Sequence, residues 1–346
     1  MKALVYHGPG EKSWDEVPDP KLDADTDAIV RIDSVTICGT DLHILKGDVP
    51  EVLPGRVLGH EAVGTVVERG LGVHSLNEGD RVLLSCISAC GNCLYCRQGR
   101  FGQCLGGGGW IFGHLIDGVQ AEYARVPFAD NSTYLVPENV SDEQVLYLAD
   151  ILPTAYEVGV LAGQVTPGDV VAIVGCGPIG LAAVFASSLF SPSVTIAVDP
   201  VKSRRDLAIE FGADVAVSPE DAPDAVRQAT DGLGAHVAIE AVGIPETFEL
   251  CTELVRPTGH VANIGVHGKP ATLHLESLWT KDVTITMGLV DTFSIPSLLR
   301  LIGAHRIDPL RFTTHRFALA DVMNAYDTFA RAGETGALKV LMERSR

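Results

Sequence analysis

Val170-Val171-Ala172-Ile173-Val174-Gly175-Cys176-Gly177-Pro178-Ile179-Gly180 is the stretch that decides the architecture. Five apolar residues run directly into a glycine turn, and a run of small and apolar residues, Leu181–Phe190, follows at once. A strand that opens through G-x-G-x-x-G into a helix is the phosphate-binding turn of a dinucleotide site. Gly175 permits the tight turn, Gly177 lets backbone approach a pyrophosphate, and Gly180 allows the helix to lie close to the strand. The free N–H groups at the helix start attract the anion. The next apolar run, Val194–Val198, ends at Asp199, nineteen residues beyond Gly180. An acid there accepts hydrogen bonds from ribose hydroxyls and repels a 2′-phosphate, so NAD is favoured over NADP. Arg204 and Arg205 argue the other way, because guanidinium groups hold phosphates. Their plain alternative is a solvated helix start.

Outward from this turn the texture alternates. Val194–Val198 is followed by helical Ser203–Phe211, Val215–Val217 by Ala222–Ala229, and Val237–Ala241 by Glu246–Val255. His260–Val266 and Lys281–Val290 add two more strand-like runs. Such alternation means βαβ units and a doubly wound parallel sheet, here placed over residues 151–291. Residues 1–150 read differently. Short apolar runs such as Ala28–Ile32 and Val63–Val67 are cut by Gly, Pro and Asp, the pattern of a mainly β region. Residues 292–346 end in a helix, Asp321–Ala332, and a strand, Leu338–Met342. The fold class is therefore α/β with a mainly β companion domain.

Length and composition agree with this division. The chain of 346 residues suits two or three domains of roughly 100–200 residues each. At 46% hydrophobic and 20% charged residues it can bury a sizeable core. Lys plus Arg number 26 against 44 Asp plus Glu, a net charge of −18, which repels nucleic-acid phosphates and anionic lipid. No apolar run approaches the ~18 residues of a membrane span, and Met1–His7 lacks the features of a signal peptide. A cytoplasmic protein with neither nucleic acid nor membrane as partner is expected.

In a reducing compartment eight cysteines suggest metal or catalysis before disulfides. Cys90-x-x-Cys93-x-x-Cys96-x7-Cys104 supplies four soft ligands in one short lobe, enough to close a tetrahedral zinc shell and leave no place for water. That is a structural site; an iron–sulfur cluster or free thiols are the alternatives. A second constellation is spread out: Cys38-Gly39-Thr40-Asp41-Leu42-His43, then Gly59-His60-Glu61, then Asp150. One thiolate, one imidazole and one carboxylate are three ligands, with a fourth position open for chemistry. Singly each has a plain reading: a buried thiol, a core histidine, a helix cap.

Together these motifs resemble the zinc-dependent medium-chain alcohol dehydrogenase family, essentially from end to end. The resemblance implies a GroES-like catalytic domain, 1–150 with 292–346 returning to it, and an inserted Rossmann domain, with two zinc ions per chain. It implies that Cys38, His60 and Asp150 hold a catalytic zinc and Cys90, Cys93, Cys96 and Cys104 a structural one. Where many members have a cysteine, Leu148-Ala149-Asp150-Ile151-Leu152-Pro153-Thr154 resembles the secondary alcohol and formaldehyde dehydrogenase branches. Glu61 matches an acid that can approach the metal, or a carboxylate behind it. Asp41 would orient His60, or merely form a turn. Zinc acidifies the alcohol, hydride passes to nicotinamide, and the proton leaves through Thr40, the ribose and His43. Thr154, Pro178, Ile179 and Ile264 join the three glycines and Asp199 at the cofactor, with Arg204 on the adenosine ribose. Trp110 resembles a substrate-pocket aromatic, with a core or interface tryptophan as its equal. The implied reaction is oxidation of an alcohol, secondary and also primary, to ketone or aldehyde by NAD. L-Threonine and polyol dehydrogenases of the same family are the alternatives, and a non-catalytic NAD-binding relative is the alternative of another class. A homodimer or homotetramer is implied, paired along the Lys281–Val290 strand.

Overall fold

The computed structural model describes residues 1–345. It contains two compact units, Met1–Asp150 with Asp291–Arg346, and Ile151–Val290. Asp291 thus belongs with the β unit, one residue earlier than the sequence boundary. Its carboxylate accepts the Gly102 N–H at 2.9 Å and faces Arg100 at 3.4 Å, which ties it to the cysteine lobe. Among the described residues no helix is long and apolar enough to cross a membrane.

The strands are numbered along the chain. The first unit opens with β1 (Lys2–Gly8), β2 (Glu11–Glu16), β3 (Ala28–Thr36), β4 (Ala62–Arg69), β5 (Arg81–Leu84), β6 (Tyr123–Val126) and β7 (Thr133–Leu135). The second unit holds β8 (Val170–Val174), β9 (Val194–Val198), β10 (Val215–Val217), β11 (Ala235–Glu240), β12 (Val255–Asn263) and β13 (Thr284–Met287). After it come β14 (Thr313–Ala318) and β15 (Lys339–Glu343), which rejoin the first.

In the first unit β3 is the organising strand. It is nearly all buried, as its run of Ala, Ile and Val dictates, and it pairs antiparallel with β4 along its length. β6 pairs with the Ala28–Arg31 half of β3, and β15 with Ser34–Thr36. The sheet order is β14-β15-β3-β4-β5-β7, so β15 is an interior strand. Leu4, Val30, Ile32, Leu58, Phe112 and Met342 are among the residues of its core.

The first unit is less purely β than its texture suggests. A helix, Gly39–Lys46, carries Thr40, Asp41 and His43, which the sequence alone leaves in the β region. Asp41 Oδ2 accepts the Cys38 N–H at 3.0 Å to start it, and Gly47 at φ +84° stops it. Eight residues are too few to display a helical apolar period.

The second unit is a six-stranded parallel sheet ordered β10-β9-β8-β11-β12-β13. Helices Pro178–Ser188, Lys202–Phe211, Ala222–Ala229 and Pro245–Leu254 separate successive strands. β8 is buried throughout, as expected of a central strand covered on both faces. The last strand is shorter than its sequence run: only Thr284–Met287 pairs, between Asp282 at φ +50° and Gly288.

Candidate active site

Cys90, Cys93, Cys96 and Cys104 bring their sulfurs within 4.8 Å of one another. Two single-turn helices, Cys96–Gln98 and Phe101–Gln103, fold the lobe tightly enough to do so. Backbone N–H groups aim at the sulfurs: Cys96 and Leu105 at Cys93 Sγ (3.5 and 3.3 Å), Cys90 and Gly106 at Cys104 Sγ (3.3 and 3.4 Å). Those donors bring the Cys93 thiol down to about 6, whereas burial pushes Cys96 up to about 12. The glycine run has a spatial reason as well. A Cβ on Gly106 would sit 2.6 Å from Cys90 Sγ, and one on Gly108 would strike the Ser88 carbonyl.

The dispersed residues also converge. Cys38 follows β3, His60 and Glu61 precede β4, and Asp150 closes the first segment; their ligand atoms lie within 4.8 Å of one another. Asp150 Oδ2 is 3.4 Å from Cys38 Sγ and 3.5 Å from His60 Nε2. A zinc with bonds of about 2.0–2.3 Å sets its ligands about 3.3–3.8 Å apart, so both spacings fit tetrahedron edges. In the cysteine lobe Cys90 Sγ and Cys96 Sγ are 3.9 Å apart, close to the same limit.

Charge in this cluster is crowded. Burial and then Asp150 push the Cys38 thiol up, and burial pushes the Glu61 carboxyl up against the pull of Lys339. Burial draws the His60 imidazole down, but Asp150, Asp41 and Cys38 outweigh it and hold the ring well above its ordinary value. Donors that raise one another in this way suit a cation at their centre. Cys86 Sγ donates to the other Asp150 oxygen, Oδ1, at 3.8 Å.

Glu61 and Lys339 are both 1% exposed, and Lys339 Nζ donates to Glu61 Oε2 at 2.6 Å and to the Ile37 carbonyl at 3.0 Å. Glu61 Oε1 has no hydrogen-bond partner among the described residues. Sequence reasoning missed Lys339, although a lysine inside the apolar run Leu338-Lys339-Val340-Leu341-Met342 was a signal. Thr40 Oγ1 lies 3.6 Å from Cys38 Sγ, while His43, on the same helix, is half-buried with Nδ1 2.8 Å from Asp48 Oδ2. Asp48, another missed partner, had no motif to announce it. Trp110 packs against the first unit's core and stacks on His114 at 4.3 Å.

The second unit holds the glycine turn. Gly175 has φ +102°, and a Cβ on Gly180 would strike the Gly175 carbonyl oxygen; around Gly177 the space is open. Pro178 and Ile179 begin the helix. Asp199, buried, is more occupied than its sequence role suggests: Oδ2 accepts the Cys176 N–H and Oδ1 the Val201 N–H, both at 2.9 Å. Each carboxylate oxygen keeps a second lone pair for a ligand. Arg204 Nη1 is 3.9 Å from Asp199 Oδ2, whereas Arg205 donates to the Asp199 and Pro200 carbonyls. Thr154 ends the short helix Ile151–Thr154, and Ile264 is buried just past β12.

Two family descriptions match the sequence, "Alcohol dehydrogenase GroES-like domain" over residues 24–138 and "Zinc-binding dehydrogenase" over 178–302. A zinc-type alcohol dehydrogenase B of Aspergillus flavus is 34% identical over 96% of this chain and 82% of its own. Among solved structures, zinc dependent alcohol dehydrogenase 2 from Streptococcus pneumonia is 47% identical with TM-score 0.96, covering 100% of this chain and 99% of that one. Alcohol dehydrogenase TADH from Thermus sp. ATN1 is 37% identical with TM-score 0.92, covering 100% of both chains.

Proposed function

We propose, for a chain that belongs to the zinc-dependent medium-chain alcohol dehydrogenase family, that it transfers hydride between an alcohol and NAD. Alcohol dehydrogenase activity comes with the family; the cofactor, the substrate class and the residue roles are the proposal. The observation that carries it is the Cys38, His60 and Asp150 donor set, spaced for a tetrahedral cation, with the Thr40 hydroxyl beside it.

Those three residues would hold the catalytic zinc, and Cys90, Cys93, Cys96 and Cys104 the structural one. When bound, the catalytic zinc supplies Lewis acidity that eases ionisation of an alcohol near neutral pH. The Thr40 hydroxyl would take up the alcohol's proton while passing its own on toward His43, the terminal base. Asp48 holds the imidazole by Nδ1, so Nε2 is the atom left to take the proton. Lys339 fixes Glu61 behind the donors. In the other unit the N–H groups of Gly177, Ile179 and Gly180 bind pyrophosphate, Asp199 favours NAD by repelling a 2′-phosphate, and Arg204 serves the adenosine ribose. Thr154 and Ile264 complete the cofactor site. Trp110 lines the pocket for a secondary or primary alcohol. Eight cysteines outside any disulfide suit a reducing compartment such as the cytoplasm.

A steady-state screen of primary and secondary alcohols, polyols and L-threonine, each with NAD and NADP, tests the reading. The highest kcat/KM is expected with a secondary alcohol and NAD. Equal kcat/KM with NADP would remove the role given to Asp199, and a clear lead for L-threonine would move the substrate class. Pairing of β13 with a second copy would cover an open sheet edge beside Met287, in a unit whose Trp279 is 77% exposed. Sedimentation as a monomer at micromolar concentration would dismiss that homo-oligomer.

A further inference from the structure

Asp41, Gln120 and Tyr326 form a line of buried polar groups that the chemistry above does not use. Tyr326 lies on the helix Val322–Ala330, and its hydroxyl donates to Gln120 Oε1 at 2.7 Å. Gln120 Nε2 donates to the Thr36 carbonyl and to Asp41 Oδ2, each at 3.1 Å. The amide cannot flip without setting its NH2 against a hydroxyl and its oxygen against a carbonyl and a carboxylate, so its orientation is locked. Asp41 Oδ2 also accepts the Cys38 N–H at 3.0 Å.

One oxygen of Asp41 is thereby committed to two donors, and the other is aimed. Oδ1 lies 3.6 Å from His60 Nδ1, just outside hydrogen-bond distance, and neither atom has a hydrogen-bond partner among the described residues. Two buried polar atoms face each other because each is the other's natural partner. The same glutamine packs on the backbone beside His60. Gly59 has φ +93°, and a Cβ there would strike the Gln120 side chain.

We infer that Gln120 and Tyr326 are positioning residues for the catalytic metal, holding Asp41 so that His60 presents Nε2 to it. The inference rests on the reading that Cys38, His60 and Asp150 bind a metal. A ring that donates Nδ1–H to a fixed carboxylate has its tautomer and its direction set, with the Nε2 lone pair left for coordination. Loss of the Tyr326 hydroxyl frees Gln120 to rotate. Loss of the Gln120 amide releases Asp41, and His60 then coordinates from an untethered ring.

The test follows zinc release from the full-length, zinc-loaded protein into a chromogenic chelator. A fast phase from the Cys38/His60/Asp150 centre and a slow one from the closed cysteine lobe are expected. Carboxylates behind a ligating histidine are worth about 10–100-fold in metal affinity, so Gln120→Met should speed the fast phase about 10-fold and Tyr326→Phe about 3-fold. The double variant should resemble Gln120→Met alone, because the two residues act in series. The slow phase should not move in any of them.

A fast phase indifferent to both substitutions overturns the inference. So does equal acceleration of both phases, which is general loosening. If Gln120→Met does not fold, Tyr326→Phe decides, since it removes one oxygen atom. Cys38→Ser separates this failure from a deeper one, because it should abolish the fast phase. A wild-type protein with no phase sensitive to Cys38→Ser refutes the metal reading itself.

Discussion

The two metal-capable clusters of this chain share a donor geometry and almost nothing else. The cysteine lobe draws its donor sulfurs from fifteen consecutive positions, Cys90 to Cys104, and steadies them with backbone N–H groups. The other centre draws on residues 38, 60, 61 and 150, and steadies them with buried side chains, among them Asp41 and Lys339. A local site depends on its own loop. A dispersed one depends on the sheet, the helix Gly39–Lys46 and the returning strand β15 all being in place.

Substitution of one ligand from each cluster should divide activity from stability. Cys38→Ser should lower kcat by about 10³-fold, since Lewis acidity contributes several kcal/mol at roughly 1.4 kcal/mol per tenfold. The cysteine-lobe zinc should remain by elemental analysis. Cys90→Ser should do the opposite, lowering Tm while the surviving folded protein turns over. If both substitutions cost the same in kcat, the contrast between the clusters is false.

A proton path is proposed for the dispersed centre alone. Thr40→Ala should lower kcat by roughly 10²-fold, within the range of general-base catalysis, while Thr40→Ser retains much of the activity. His43→Gln should lose less, because its half-exposed end admits buffer bases, and added imidazole should restore part of the loss. Wild-type turnover below pH 7 by both Thr40→Ala and His43→Gln would remove the relay and leave the metal assignment standing.

Lys339 sharpens the comparison through stability. Lys339→Met leaves Glu61 buried without its cation and should cost about 3–5 kcal/mol in denaturant unfolding. Adding Glu61→Gln should recover a large part of that. In the cysteine lobe the groups aimed at the sulfurs belong to the backbone instead: Leu105→Ala removes a side chain and keeps the N–H to Cys93. That substitution should leave Tm nearly unchanged.

The smallest effect is a difference in labelling order. After chelation, Cys93 at about 6 is about nine-tenths thiolate at pH 7, whereas Cys96 and Cys176, both at about 12, are almost wholly thiol. Iodoacetamide with peptide mapping should find Cys93 first, and its labelling should fall as pH drops through 6. Prior labelling of Cys176 would mean that the glycine turn opens more easily than its burial implies.

Legibility followed the same divide between local and dispersed. The cysteine spacing and the glycine turn lie within short segments, so sequence alone delimits them; β8, β9 and β10 match their apolar runs residue for residue. The dispersed donors could be grouped from residue type, but only the family resemblance joined them firmly, because nothing in spacing says that residue 38 meets residue 150. Lys339, Gln120 and Tyr326 stayed hidden because their roles exist only across elements far apart in the chain, and Asp48, five residues from His43, because no motif marks it. Asp199 was read for its charge, and its hold on the Cys176 and Val201 N–H groups went unseen because a backbone partner leaves no mark in composition.

The interior place of β15 has a consequence for how the protein is made. Its residues leave the ribosome after the whole of Ile151–Val290, although their partners on β3 emerged near the start. At about 5–20 residues per second, the first segment waits some 10–40 s for the strand that completes its sheet. During that interval Glu61 has no lysine and Gln120 no tyrosine. The second unit, continuous in sequence, is free to fold meanwhile. A chain lacking β15 would therefore keep the Ile151–Val290 unit intact, joined to a first unit whose sheet cannot close.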